Sequence, residues 1–383
     1  MRIAFYAPLK PPDHPVPSGD RLVARLLMAA LTRGGHDVEL AARLRTWDGT
    51  GDAVRQARLR AIGARMAIRL VRRYRATPPT ARPQAWFTYH LYHKAPDWLG
   101  PAVADALGIP YLVAEASIAN KRAGGPWRTG HDAAIKAIAR ADAILSLNAA
   151  DEGGLRPWVP DESRLHRLAP FLDPAPFAAA QTARVNHRVA LACGLGLDLA
   201  QPWLAAVAMM RAGDKLRSYT LLADALRRVA DRPWQLVVAG DGPARPEVEA
   251  VLSALGRERV RFAGRLDETT LPGFYAAADL YVWPAVREAF GMSFLEAQAG
   301  GCPVVAGAEG GVPGIVHDGE TGLLTPPSDA VEFARAIARM LDDEKLRRRM
   351  GAGAMRRVAA DHGIDGAARA LGAILARVTR GAA

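Results

Sequence analysis

A chain of 383 residues exceeds what one hydrophobic core usually supports, so two domains are expected, and a hydrophobic content of 50% excludes extended disorder. Its two cysteines, Cys193 and Cys302, have no C-x-x-C spacing and no neighbouring histidine cluster, which excludes a disulfide framework and a zinc finger and fits a reducing cytoplasm. The net charge of +11 is uneven: residues 1–185 hold 26 Lys and Arg against 16 Asp and Glu, residues 186–383 hold 24 against 23. The first half is therefore the one suited to a polyanionic partner, be it an anionic membrane surface, a phosphorylated acceptor or nucleic acid, although no nucleic-acid-binding module is recognisable.

The first predicted strand is Ile3–Ala7, in an apolar run too short for a signal peptide and broken at once by prolines. No apolar stretch reaches membrane-spanning length, because Leu191–Met210 is interrupted by Asp198, Gln201 and Pro202. Asp20–Arg33 has helical periodicity and stops at Gly34 and Gly35, and Val38–Ala41 reads as the next strand, a β-α-β opening. From Ala53 to Pro96 there are ten Lys and Arg and no acid. Arg55, Arg58, Arg65, Arg69 and Arg72 fall on one helical face, and Leu59, Met66 and Leu70 on another. This is either a basic amphipathic helix able to rest on anionic lipid or a plain solvated helix. Further strands are predicted at Ala85–Tyr89, Tyr111–Ala114 and Ala143–Leu147.

Pro170–Phe177 is punctuated by proline, and Ala178–Arg188 reads as a polar, irregular interdomain linker. A second series of strands follows at Trp203–Ala208, Trp234–Ala239, Val260–Phe262, Leu280–Trp283 and Val304–Ala306, separated by helices such as Tyr219–Ala230. Two helices, through Leu341–Asp361 and Ala367–Val378, close the chain. Strands alternating with helices predict parallel sheets wrapped on both faces.

The densest motif is Pro284-Ala-Val-Arg-Glu288-Ala-Phe-Gly291-Met292-Ser-Phe-Leu-Glu296. A strand, a loop with a glycine, and then a helix whose first amides are free make an anion site. Gly291 lets a phosphate approach the backbone, and Glu296 can hold a hydroxyl such as that of a ribose. Glu288 and Glu296 form an E-x7-E spacing, and in this respect the chain resembles retaining GT-B glycosyltransferases, the glycosyl transferases group 1 family. Similar in the same order are Val207-Ala-Met-Met-Arg211-Ala-Gly-Asp-Lys215, Leu236-Val-Val-Ala-Gly240-Asp-Gly242, Val260-Arg-Phe-Ala-Gly264, Tyr275-Ala-Ala-Ala-Asp279 and Asp318-Gly-Glu-Thr-Gly322-Leu-Leu.

The resemblance implies two Rossmann-like domains of parallel sheets facing across a cleft, with residues 1–180 on the acceptor side, 181–365 binding the nucleotide sugar, and 366–383 as a helix packing back on the first domain. It implies that Arg211 and Lys215 clamp a diphosphate, that Gly291 and Met292 donate backbone N–H groups to it beside Phe290, that Glu288 holds donor-sugar hydroxyls, that Glu296 holds the ribose, and that Gly264 and Arg265 lie near the base. A departing nucleoside diphosphate would be stabilised by two cations and a helix N-terminus, so no metal and no cofactor is expected. No Asp-x-Asp motif occurs.

The first half matches less closely. Gly19 occupies the place of a family glycine near the donor phosphates, although Ser18-Gly19-Asp20 also reads as a helix cap. Where family members often have a histidine near the reacting sugar, this chain has Glu115; Glu115 or His131 is expected to take that role, with His90 and His93 ranking below them. The reading is a retaining glycosyltransferase with a nucleotide-sugar donor and a glycan or lipid-linked acceptor. Transfer would proceed on the leaving-group side with the departing phosphate oxygen as base, in cell-surface glycan or glycolipid synthesis, on the inner face of the membrane. The alternative is a nucleotide-sugar-binding protein whose first domain has lost transfer.

Overall fold

The computed structural model describes residues 1–288 and 291–380. The chain divides into two compact units, Met1–Ala169 with Ile364–Ala383, and Pro170–Gly363. The boundary thus falls about ten residues before the one expected from sequence, and the segment read as an irregular linker is two helices, α6 and α7 below. Its polar residues are the reason for the misreading: Arg184 and Arg188 are not solvated, but pair with Asp279 at 2.6 and 2.9 Å and donate to the carbonyls of Ala277 and Ala278.

Unit 1 contains β1 (Arg2–Tyr6), α1 (Gly19–Arg33), β2 (Asp37–Ala42), α2 (Ala53–Ala76), β3 (Ala85–Leu91), α3 (Gly100–Leu107), β4 (Tyr111–Ala116), α4 (Arg128–Arg140), β5 (Ala143–Ser146), α5 (Ala149–Leu155) and β6 (Leu165–Arg167). The strands form one parallel sheet in the order β2-β1-β3-β4-β5-β6. The central strands are nearly continuous apolar runs because helices cover both faces. β1 has its sequence successor β2 on one side and β3 on the other, which opens a crevice at the C-terminal ends of β1 and β3.

Unit 2 contains α6 (Ala175–Thr182), α7 (Arg184–Leu195), β7 (Trp203–Val207), α8 (Asp214–Arg227), β8 (Gln235–Ala239), α9 (Arg245–Ser253), β9 (Val260–Gly264), α10 (Leu271–Ala277), β10 (Leu280–Trp283), α11 (Met292–Ala299), β11 (Val304–Gly307), β12 (Gly322–Thr325), α12 (Ala330–Asp342) and α13 (Glu344–Asp361). Its parallel sheet runs β12-β11-β10-β7-β8-β9. Here the reversal of winding lies between β7 and β10. The core is heavy in aromatics, with Trp203, Trp234, Trp283, Tyr219, Tyr275 and Tyr281 all buried.

The last helix, α14 (Ile364–Arg380), belongs to unit 1, where it packs on α1, with Arg33 paired to Asp365 at 2.6 Å.

Candidate active site

In unit 2 the loops that leave β7 and β10 meet at the crevice between them. The loop after β7 turns at Gly213 (φ 81°) into α8, whose second residue is Lys215. The loop after β10 carries Glu288, and Lys215 Nζ donates to the Glu288 carboxylate. Two further contacts fix this geometry: Ser218 Oγ, one turn along α8, accepts from the Val286 amide at 3.1 Å, and Lys215 Nζ lies 5.6 Å from the Trp283 ring. Arg211 is exposed on the same loop.

The remaining parts of the crevice are backbone. Gly291 precedes α11 with φ 74°, and a Cβ there would stand 2.4 Å from the Phe294 ring, so only glycine starts the helix this way. Among the described residues no side chain caps the start of α11, the kind of helix N-terminus that suits an anion. Met292 is its first residue. The loop after β8 lies so close to the loop after β7 that a Cβ on Gly240 would be 1.9 Å from the Ala208 carbonyl. Gly264, at the end of β9, accepts from the Gly240 amide at 2.8 Å and leads into exposed Arg265.

Glu296, on α11, accepts a hydrogen bond from the Tyr275 hydroxyl at 3.0 Å. Burial pushes its carboxyl up to about 7, with the Tyr275 hydrogen bond opposing and the charge of Glu268 adding to the rise. The structure thus brings together Arg211, Lys215, Glu288, Gly291 and Met292 around one crevice. Phe290 lies outside the described residues.

In unit 1 the crevice between β1 and β3 also holds a close pair of polar side chains. Asp20, on the first turn of α1, reaches His90 at the end of β3, Oδ1 to Nδ1 3.1 Å. Burial raises the Asp20 carboxyl, but the hydrogen bond and charge of His90, with Lys10, hold it below the ordinary carboxylate range. Beside His90, in the neighbouring strand, is Glu115; the pairs Tyr89–Ala114 and Leu91–Ala116 flank the two residues, and both take left-handed backbone, φ 63° and 58°. Burial, then the charges of Asp151 and Asp20, push the Glu115 carboxyl up to about 8, with the Leu147 amide opposing. Glu115 thus stands near the end of β4, across from His90.

Gly19 begins α1, with Ser18 Oγ accepting from the Arg21 amide at 3.3 Å, and a Cβ on Gly19 would meet nothing within 4 Å. That is the capping alternative, with no steric demand for glycine. His131 lies inside the first turn of α4, 1% exposed, near His93. Sequence reasoning missed Asp20 and Asp151 as partners in this crevice, and Ser218 and Tyr275 in the other. The signal for Asp20 was its place after β1, the loop that faces a switch point in an open sheet.

Among the described residues no three His, Cys, Asp or Glu side chains are gathered as a metal site.

The family model of the glycosyl transferases group 1 matches residues 206–357, the stretch that carries the unit 2 crevice. Residues 206–357 are thus similar to that family. The chain is 35% identical over 241 residues to an alpha-D-kanosaminyltransferase of Streptomyces kanamyceticus, 62% of this chain and 61% of that protein. The chain spans less than two thirds of the length of the curated relatives it matches. Among solved structures, sucrose-phosphate synthase from Thermosynechococcus elongatus superposes with a TM-score of 0.73 at 22% identity, covering 100% of both chains. Anabaena HepE, solved in complex with UDP-glucose, superposes with a TM-score of 0.71 at 18% identity over 98% of this chain and 100% of that one. The fold is the GT-B architecture.

Proposed function

We propose that this protein is a retaining glycosyltransferase that moves a sugar from a nucleoside diphosphate to an acceptor hydroxyl. The observation that carries this reading is the crevice between β7 and β10. Lys215 paired with Glu288, exposed Arg211 and the start of α11 are gathered there, within the stretch that the group 1 family model matches. Negative charge developing on a departing diphosphate meets two cations and free backbone amides that need no reorganisation. Glu288 is then left to hold donor-sugar hydroxyls, and Glu296 the ribose. HepE, which shares the fold, was solved with UDP-glucose, which supports a nucleotide-sugar donor for this chain.

In the same reading the acceptor lies against unit 1, whose crevice holds Asp20, His90 and Glu115, and α2 brings the protein to an anionic membrane surface.

The test is a thermal-shift screen of the full chain against UDP-, GDP-, ADP- and TDP-sugars, followed by transfer from the radiolabelled form of whichever stabilises it. Stabilisation by at least one nucleotide sugar, with release of labelled sugar to an acceptor or to water, is expected. Stabilisation without any release would leave a binding protein. No stabilisation by any of them would overturn the donor reading.

A further inference from the structure

The loops leaving β3 and β4 gather a second set of side chains that donor chemistry does not use. Trp127, just before α4, donates its indole N–H to the carbonyl of Asp48 at 3.0 Å, which fixes the ring. Lys94 Nζ lies 4.8 Å and Arg122 Cζ 4.9 Å from that ring's centroid, and His93 meets the ring edge-on at 5.8 Å. Among the described residues no carboxylate forms an ion pair with Lys94 or Arg122. Asp48 is already engaged by the amide and hydroxyl of Thr50 at 3.1 and 3.0 Å and by Gln56 Nε2 at 3.1 Å.

Two imidazoles complete the set, His93 half-buried and His131 buried. Among the described residues neither ring nitrogen of His93 has a hydrogen-bond partner, nor does Nδ1 of His131, whose residue is 1% exposed. Burial lowers His93 first, and the charged groups that face it, Arg122 from the 120–122 turn, Lys94 from its own turn and His131 from α4, lower it further, to about 4. Each of those groups is cationic or a base. Cation–π attraction accounts for either cation alone on Trp127, but not for two of like charge around one ring without a counter-charge.

We propose that Lys94, Arg122, His93 and His131, arranged around Trp127, bind a phosphoryl group carried by the acceptor. A tetrahedral phosphate takes donors from several directions at once: the ammonium as a point charge, the guanidinium as a planar fork, and a neutral imidazole through its remaining N–H. A ring-to-ring chain joins this site to the crevice, His90 to Tyr92 at 5.2 Å, Tyr92 to His93 at 5.3 Å and His93 to Trp127. An acceptor anchored here by its phosphate can extend along this ring chain toward His90. Assignment of the phosphate to the acceptor rests on the transferase reading; the phosphate site itself does not.

The experiment titrates the full chain calorimetrically with glucose 6-phosphate and with glucose. In parallel it sediments the chain with vesicles of phosphatidylglycerol in phosphatidylcholine, so that a soluble ester and a lipid headgroup are told apart. Glucose 6-phosphate should bind where glucose does not, and Lys94→Gln/Arg122→Gln should weaken it by about tenfold or more, the scale of losing charge-assisted hydrogen bonds. Lys215→Ala should leave it unchanged. The His93 ring-proton resonance should shift on adding the ester at pH 7. Arg122→Gln alone serves if the double variant melts early. Vesicle binding that depends on Lys94 and Arg122, without binding of the soluble ester, supports the site and assigns the phosphate to a lipid. Wild-type protein that binds neither, or binding that survives the double variant, would overturn the site. Loss of nucleotide-sugar stabilisation through Lys215 speaks only to the donor reading.

Discussion

The ion pair between Lys215 and Glu288 sets two roles against each other, because a lysine held by a carboxylate is less available to a phosphate. Glu288→Gln should therefore let a nucleoside diphosphate alone bind at least as tightly as to wild type while turnover of the nucleotide sugar falls, since the sugar has lost a hydroxyl partner. Calorimetry with the diphosphate and steady-state kcat for the sugar nucleotide separate the two effects. Arg211→Ala and Lys215→Ala should each lower turnover by about 100-fold, the scale of one preorganised charge contact; near-normal turnover in both, at saturating donor, would remove the clamp. Glu296 behaves differently. With its carboxyl pushed up to about 7, it is largely protonated below that pH, and a ribose that needs the carboxylate must first displace the proton. The donor's Michaelis constant should fall as pH rises from 6 to 8, and Glu296→Gln should raise that constant and flatten its pH dependence. The spacing of Glu288 and Glu296 was legible in the sequence because a loop and one helix carry both. The pairs Tyr275 with Glu296 and Asp20 with His90 were not, because each joins residues from separate elements that only the sheet order brings together.

At the scale of elements, the central strands were readable from apolar runs, while β6 and β12 were missed for one reason: both are short edge strands. α2 is half a correction. Its apolar face is not free for lipid, since Leu70 is buried, Met66 packs on the core of unit 1, and Gly63 lies so close to Trp98 that a Cβ would be 2.4 Å away. What faces outward is Arg58, Arg65, Arg69 and Arg72, with Val54 and Ile68 79% and 54% exposed among them. Each basic group near an anionic bilayer contributes about 1 kcal/mol, and two aliphatic side chains add burial. Liposome co-sedimentation should therefore rise with anionic lipid and fall with salt, and Arg58→Glu/Arg65→Glu/Arg69→Glu should abolish it. Equal sedimentation of both proteins would remove the membrane contact. A second element-scale device is Asp97, which is 4% exposed. Its carboxylate accepts from the Leu99 and Gly100 amides at 2.8 Å each, from Thr88 Oγ1 at 2.6 Å and from Tyr111 Oη at 3.0 Å, tying the start of α3 to β3 and β4. Asp97→Ala should destabilise unit 1 by about 3 kcal/mol, read by urea titration, because four donors lose their acceptor in the core.

At the scale of the molecule, α14 places the end of the described chain in the same unit as its beginning, so unit 2 is one continuous segment and unit 1 is not. The two ends of that segment are bonded to each other: the Leu172 amide donates to the His362 carbonyl at 3.0 Å, His362 Nδ1 meets the Pro170 carbonyl at 2.6 Å, and Leu172 bridges Gly363. Unit 2 is in effect an insertion whose entry and exit are stapled together, and such segments keep their fold when excised. This sets an order for biosynthesis. On the ribosome, residues 170–363 can close their sheet before α14 has been made, whereas α1 waits with an uncovered apolar face until residues 364–380 emerge. Nascent chains arrested with Gly363 outside the exit tunnel should accordingly protect unit 2 from protease while unit 1 is still cut, and protection of unit 1 should appear only when the arrest point clears Arg380. Mutations that weaken the α1–α14 contact would then lower yield during synthesis far more than they lower the melting temperature of the finished protein.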